Sequence, residues 1–73
     1  MTGEELLELR LLATEWHGGQ FSPLYAFQST GSVVPGLWAE AWRCALYADA
    51  EGMSEDAEAL RRIAALDTGE EQQ

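Results

Sequence analysis

One cysteine, Cys44, is present in this chain of 73 residues, so no internal disulfide can hold the fold together. The length allows a single domain. A domain this small buries only about 60% of the surface that its unfolded chain exposes, and its core supplies about 3–5 kcal/mol of net stability. Because Cys44 lies in an apolar stretch, we expect a buried thiol in a reducing compartment.

The charge balance is strongly acidic. Thirteen Asp and Glu face four Arg and no Lys, for a net charge of −9. Nucleic acid and anionic membranes are disfavoured as direct partners, because both are bound through Lys and Arg. A protein with a basic surface is favoured; alternatively, the charge serves only solubility. No apolar stretch approaches a membrane span, and the acidic start of the chain is unlike a signal peptide, which predicts a cytoplasmic protein.

A first helix is predicted from a capping box at Thr2 and Glu5. In this motif the Thr2 hydroxyl accepts a hydrogen bond from the Glu5 amide, and the Glu5 carboxylate accepts one from the Thr2 amide. An apolar stripe at helical spacing follows, formed by Leu6, Leu9, Leu12, Ala13 and Trp16. Leu7 and Leu11 widen this stripe and predict neighbours on two sides. We expect Gly18-Gly19 to end the helix.

The segment from Trp16 to Ala39 contains no Asp, Glu, Lys or Arg. Ser22-Pro23 is typical of a helix start and predicts a short helix from Leu24 to Ser29, closed by Gly31. A hairpin over residues 21–34 is the alternative. Helix is favoured because an isolated hairpin is only marginally stable and no third strand is visible.

Two further helices are predicted, one from Leu37 to about Ala50 and one that begins after Ser54 as N-cap. Their apolar faces are Leu37, Ala41, Cys44, Ala45 and Ala48 in the first, and Ala57, Leu60, Ile63, Ala64 and Leu66 in the second. Glu58 and Arg62 are spaced for an ion pair. The fold class is therefore all-α: a small bundle of three to four short helices with an uncharged, aromatic central segment containing Gly and Pro. We expect one helical domain over residues 1–69 and a disordered polar tail over 70–73.

Catalytic chemistry is not indicated. No Gly-rich phosphate loop precedes a helix, and one histidine with one cysteine is too few ligands for zinc. We expect no metal, no cofactor and no catalytic residue, and hence a protein that is not an enzyme. His17 is expected to interact with the C-terminal end of the first helix through the helix dipole.

Several large aromatic side chains, together with acidic side chains, indicate that the protein binds another protein. We expect most of Trp16, Phe21, Phe27 and Trp38 in the core. Tyr25, Trp42 and Tyr47 are expected at the surface, where Trp and Tyr commonly anchor interfaces. The acids expected to surround them are Glu40, Glu55, Asp56 and Glu58. Apolar anchor residues surrounded by negatively charged side chains predict that the partner is bound through a basic amphipathic segment.

A short, acidic, helical chain that uses arginine and no lysine resembles the small host-takeover proteins of lytic phages. Among these it is similar to the transcription regulators of xanthomonad phages that bind bacterial RNA polymerase. The segment from His17 to Phe27 (HGGQFSPLYAF) also resembles a segment of short bacterial and phage proteins. The resemblance implies a regulator that binds the N-terminal region of the β′ subunit in the host cytoplasm. It further implies inhibition of initiation, with antitermination as a second effect.

Two other functions remain open at this point. One is a DNA mimic or antitoxin-like inhibitor of a nucleic-acid-binding protein, which would need carboxylates spaced like phosphates along one face. The other is a small adaptor that associates with itself through its aromatic face. We expect a monomer in isolation.

Overall fold

The computed structural model describes residues 2–68, which form four helices and no strand. The helices are α1 (Gly3–Ala13), α2 (Pro23–Thr30), α3 (Leu37–Ala50) and α4 (Ser54–Thr68). The all-α prediction is therefore confirmed. The predicted tail over residues 70–73 lies outside the described residues.

Helix α1 begins as its sequence predicts and ends earlier. The Glu5 amide donates to the Thr2 hydroxyl oxygen at 3.2 Å, which is the predicted cap. The helix ends at Ala13, however, and not at Gly18-Gly19. Over residues 14–16 the backbone continues in tighter turns, in which each amide bonds three residues back. This change of pitch keeps Trp16 against the core although the α-helix has ended.

Helix α2 confirms the helical reading of the central segment over the hairpin. The Ser22 hydroxyl oxygen accepts from the Tyr25 amide at 3.0 Å, and Pro23 occupies the first turn. Gly31 ends the helix with a φ of 78°, a left-handed conformation that glycine adopts without a steric penalty.

Helices α3 and α4 form an antiparallel hairpin joined by a short turn at residues 51–53. Small side chains on the facing sides allow close approach; Ala41, Ala45, Ala57 and Ala64 are buried. The largest fully buried side chains are Phe27, Leu24, Leu37, Leu60 and Ile63. Helix α1 packs on α2 and α4, and α2 packs on α1 and α3. Helices α1 and α3 therefore lie across the bundle from each other.

Arginines connect the helices. Arg10 on α1 donates to the carbonyl oxygens of Gln28 and Ser29 at the end of α2, at 3.2 and 3.0 Å. Arg61 pairs with Asp49 across the α3–α4 hairpin at 2.9 Å.

The predicted pairing of Arg62 with Glu58 is wrong. Arg62 instead reaches Glu5 on α1. The structure thus uses this cation to join two helices, whereas the sequence spacing indicated a pair within one helix. The hydrogen bond from Arg62 lowers the pKa of the Glu5 carboxyl from its usual value of 4.5.

The predicted core rings are only partly confirmed. Phe27 is fully buried and Trp16 is half-buried against the core, whereas Phe21 is 92% exposed and Trp38 is also exposed. Leu7 and Leu11 are exposed too. Helix α1 does have two neighbours, α2 and α4, but they leave these two leucines uncovered. For Trp38 the reason is geometric: the buried positions of α3 are taken by Leu37, Glu40, Cys44 and three alanines, so its large rings lie outside the core.

Replacing Phe27 with alanine should bring the free energy of unfolding close to zero at 25 °C, so that a large fraction of the protein is unfolded. The cost of truncating a buried Phe is about 3–5 kcal/mol, which matches the whole net stability of about 3–5 kcal/mol expected at this size. Phe21→Ala is the matched control and should change the free energy of unfolding by less than about 0.5 kcal/mol. Urea denaturation followed by circular dichroism measures both; equal losses would contradict the burial described above.

Replacing Glu5 with glutamine should remove a stabilising contribution that depends on pH. Because the pKa of Glu5 is lowered in the folded state, the contribution is present above the unfolded value of 4.5 and is lost as the pH falls through the folded value. Glutamine keeps the capping box. The urea midpoints of wild type and Glu5→Gln should therefore differ at neutral pH and converge as the pH falls through the lowered folded-state pKa of Glu5. Glu8→Gln, which alters an exposed acid, should show no such convergence.

Candidate protein-binding surface

The predicted site residues do not form one surface. Glu40 was expected at an acidic rim, but it is only 7% exposed. Its carboxylate accepts from the Leu24 amide at 2.5 Å and from the Gly18 amide at 3.4 Å. Glu40 is therefore a structural residue that attaches the start of α2, and the loop before it, to α3.

The three predicted surface rings have different surroundings. Tyr25 is half-buried and meets the ring of His17 edge-on, with 5.1 Å between ring centroids. Trp42 and Tyr47 are both exposed on α3. They are five positions apart in the sequence, which places them about 140° apart around the helix. The exposure of these two rings agrees with the prediction, but their grouping with Tyr25 does not.

The predicted acids of α4 have two different environments. Asp56 is half-buried and accepts from the indole N–H of Trp16 at 3.2 Å, which connects the end of α1 to the start of α4. Glu55 and Glu58 are exposed and pair with no cation among residues 2–68. Only these two of the four predicted acids are free to meet a partner.

The most continuous exposed apolar surface on α3 consists of Trp38, Trp42 and Leu46, which we call the tryptophan surface. These residues are four apart and so form one stripe along the helix. They are 46%, 41% and 56% exposed, respectively. The two indole rings lie almost parallel, with an interplanar angle of 8° and 6.3 Å between centroids. This stacking gives the surface a rigid aromatic platform.

The edges of the tryptophan surface are fixed by neighbouring side chains. At its N-terminal end the Trp38 amide donates to Asp67 of α4 at 2.8 Å. This contact caps α3, whose N-cap residue, Gly36, has no side chain to do so. Asp49, at the other end of the same side of α3, pairs with Arg61. The aromatic platform is therefore built on the most extensively packed helix pair of the bundle.

Trp38 and Leu46 were missed as members of this surface. Trp38 is predicted as a core ring, but it is exposed. The sequence does contain the signal that could have found the stripe: residues 38, 42 and 46 recur every fourth position.

Cys44 and His17 lie near the same loop without forming a recognisable catalytic pair. The Cys44 thiol donates to the Trp16 carbonyl oxygen at 3.3 Å, and burial, with a smaller contribution from Glu40, raises the thiol pKa above its usual value. A raised pKa disfavours the reactive thiolate. His17 Nδ1 is buried without a hydrogen-bond partner among the described residues. The His17 ring packs edge-on against Tyr25.

Within residues 2–68 no three His, Cys, Asp or Glu side chains converge as a metal site would require, and no pocket is present. None of the helices described is both long and apolar enough to cross a membrane. Comparison with protein-family models, curated proteins and solved structures finds no match to this chain.

Replacing Glu40 with glutamine should destabilise the protein by about 1–3 kcal/mol, because the amide group would present a donor where two backbone N–H groups need acceptors. Glu58→Gln makes the same chemical change at an exposed position and should alter the free energy of unfolding by less than about 0.5 kcal/mol. Urea denaturation measures the stability, and hydrogen exchange at the Leu24 amide reports the local contact. If both variants unfold at the same urea concentration, Glu40 does not have the structural role described here.

Proposed function

We propose that this protein is a non-enzymatic regulator that acts by binding another protein through the tryptophan surface. The observation that carries the proposal is the pair of stacked, solvent-exposed indole rings next to Leu46. Tryptophan is enriched among the residues that contribute most to protein–protein binding. Rings already held parallel on a packed helix lose little conformational freedom when a partner covers them.

Bacterial RNA polymerase is the proposed partner, contacted at the N-terminal region of its β′ subunit. Two arguments support this choice: the resemblance in length, charge and composition to phage transcription regulators, and the net charge of −9, which favours a basic surface. Binding there would inhibit transcription initiation, and antitermination would follow if the protein stayed on the elongating enzyme.

The DNA-mimic alternative receives less support from the geometry. A mimic needs a row of free carboxylates in place of phosphates, whereas several acids here serve the fold. Glu5 and Asp49 pair with arginines, and Glu40, Asp56 and Asp67 accept from N–H groups. Self-association through the tryptophan surface is the other alternative, and sedimentation at high protein concentration would reveal it.

The combined variant Trp38→Ala/Trp42→Ala should weaken binding to purified bacterial RNA polymerase by about tenfold or more, as expected when hot-spot residues are truncated. It should relieve inhibition of promoter-dependent transcription to the same degree. Phe21→Ala is the control, because it removes an even more exposed ring from a different part of the chain. Biolayer interferometry gives the affinity, and run-off transcription gives the inhibition.

Two results would count against this function. If the wild-type protein at micromolar concentration neither binds the polymerase nor changes transcription, the proposed partner is wrong. If Phe21→Ala weakens binding as much as the double tryptophan variant does, the proposed surface is wrong.

A further inference from the structure

Helix α1 has an exposed apolar pair on the side that faces away from the bundle. Leu7 and Leu11 are 53% and 63% exposed. They are one turn apart and lie opposite Leu9 and Ala13, the buried residues of α1. Helix α1 meets α2 and α4, and neither neighbour covers the two leucines.

The charges next to this pair are negative and uncompensated. Glu4 and Glu8 lie beside the leucines, and Glu15 follows in the turn after α1; all three are exposed and pair with no cation among residues 2–68. Arg10, the one basic residue of α1, is directed to the carbonyl oxygens at the end of α2. The cations that would balance these carboxylates are therefore missing from this side of the described structure.

The tryptophan surface has a different electrostatic environment. Its neighbouring carboxylates already have partners, since Asp49 pairs with Arg61 and Asp67 accepts from the Trp38 amide. Arg43 is also exposed on α3. On α1, therefore, the exposed leucines lie beside carboxylates that pair with no cation. On α3, the exposed rings lie beside carboxylates that already have a hydrogen-bond or ion-pair partner.

From this contrast we propose that α1 carries a second docking surface, formed by Leu7 and Leu11 with Glu4, Glu8 and Glu15. Its occupant is a basic amphipathic segment of a partner protein, with an apolar stripe that covers the leucines and Lys or Arg on either side of that stripe. The partner thereby supplies the cations that this face lacks, an arrangement typical of an amphipathic helix recognised through its apolar side. Attraction between the charges speeds the encounter and selects against acidic segments.

Because α1 and α3 lie across the bundle from each other, the α1 surface and the tryptophan surface can be occupied at the same time. The protein would then connect two binding partners, or two regions of one partner. This inference does not require that RNA polymerase binds the tryptophan surface, so each proposal can fail without the other.

The test uses a synthetic helical peptide of leucine and lysine, with the leucines on one face, added to the isotopically labelled full-length chain. NMR chemical-shift changes should be concentrated at residues 4–15 and absent from the tryptophan surface. Leu7→Ser/Leu11→Ser should weaken peptide binding by about tenfold, whereas Phe21→Ser, which makes the same kind of change at another exposed position, should leave the affinity unchanged. Both positions are exposed, so circular dichroism should show an intact fold.

A second variant tests the charges separately from the leucines. Glu4→Gln/Glu8→Gln/Glu15→Gln should weaken binding at low ionic strength and flatten its dependence on salt, because fewer charge pairs remain to be screened. A peptide of the same composition, with its leucines scattered around the helix, should bind at least about tenfold more weakly. The proposal is overturned if the amphipathic peptide fails to bind, if its shifts fall on Trp38 and Trp42, or if the scattered peptide binds equally well.

Discussion

The carboxylate of Glu40 is the contact on which the arrangement of the central segment depends. At the start of α2, Pro23 has no N–H, the Ser22 hydroxyl accepts from Tyr25, and Glu40 accepts from Leu24. The Ser22 amide itself bonds to the Gly19 carbonyl, so every free donor of this terminus has a partner, as a buried helix start requires. A buried carboxylate is costly unless it is hydrogen-bonded. Here the Leu24 amide of α2 and the Gly18 amide of the preceding loop are the donors, and the positive end of the α2 dipole adds a favourable field.

Polar contacts of the same kind explain how a chain without a disulfide fixes the positions of four short helices. Asp67 of α4 accepts a hydrogen bond from the first turn of α3, and Asp56 of α4 accepts one from the Trp16 indole. Arg10 of α1 donates to a carbonyl oxygen at the end of α2. Each contact joins two elements that are distant in the sequence. Charged groups at helix ends therefore determine how the helices are placed, while the core of small and branched apolar side chains supplies the driving force. The acids that remain unpaired are those available for partners.

The two exposed apolar surfaces follow from how the bundle packs. Helices α3 and α4 approach closely because alanines line their contact, and that leaves no room between them for an indole. Trp38, Trp42 and Leu46 are consequently displaced to the solvent side, where their spacing makes a continuous stripe. Leu7 and Leu11 are exposed for a related reason. Helix α1 contacts only α2 and α4 among the described helices, and neither helix packs over these two leucines.

The sequence alone determined the features that depend on a few neighbouring residues, because caps and apolar periodicity act over that range. These features are the helical class, the caps at Thr2 and Ser22, the end of α2 at Gly31 and the buried faces of α3 and α4. Other features were decided only by the tertiary structure. These are the early end of α1, the pairing of Arg62 with Glu5, the burial of Glu40 and the exposure of Phe21 and Trp38. Each of these depends on which element lies opposite, and the spacing of residues within one helix carries no information about that. Among the predicted binding residues, Trp42 and Tyr47 are exposed as expected, whereas Glu40 is buried.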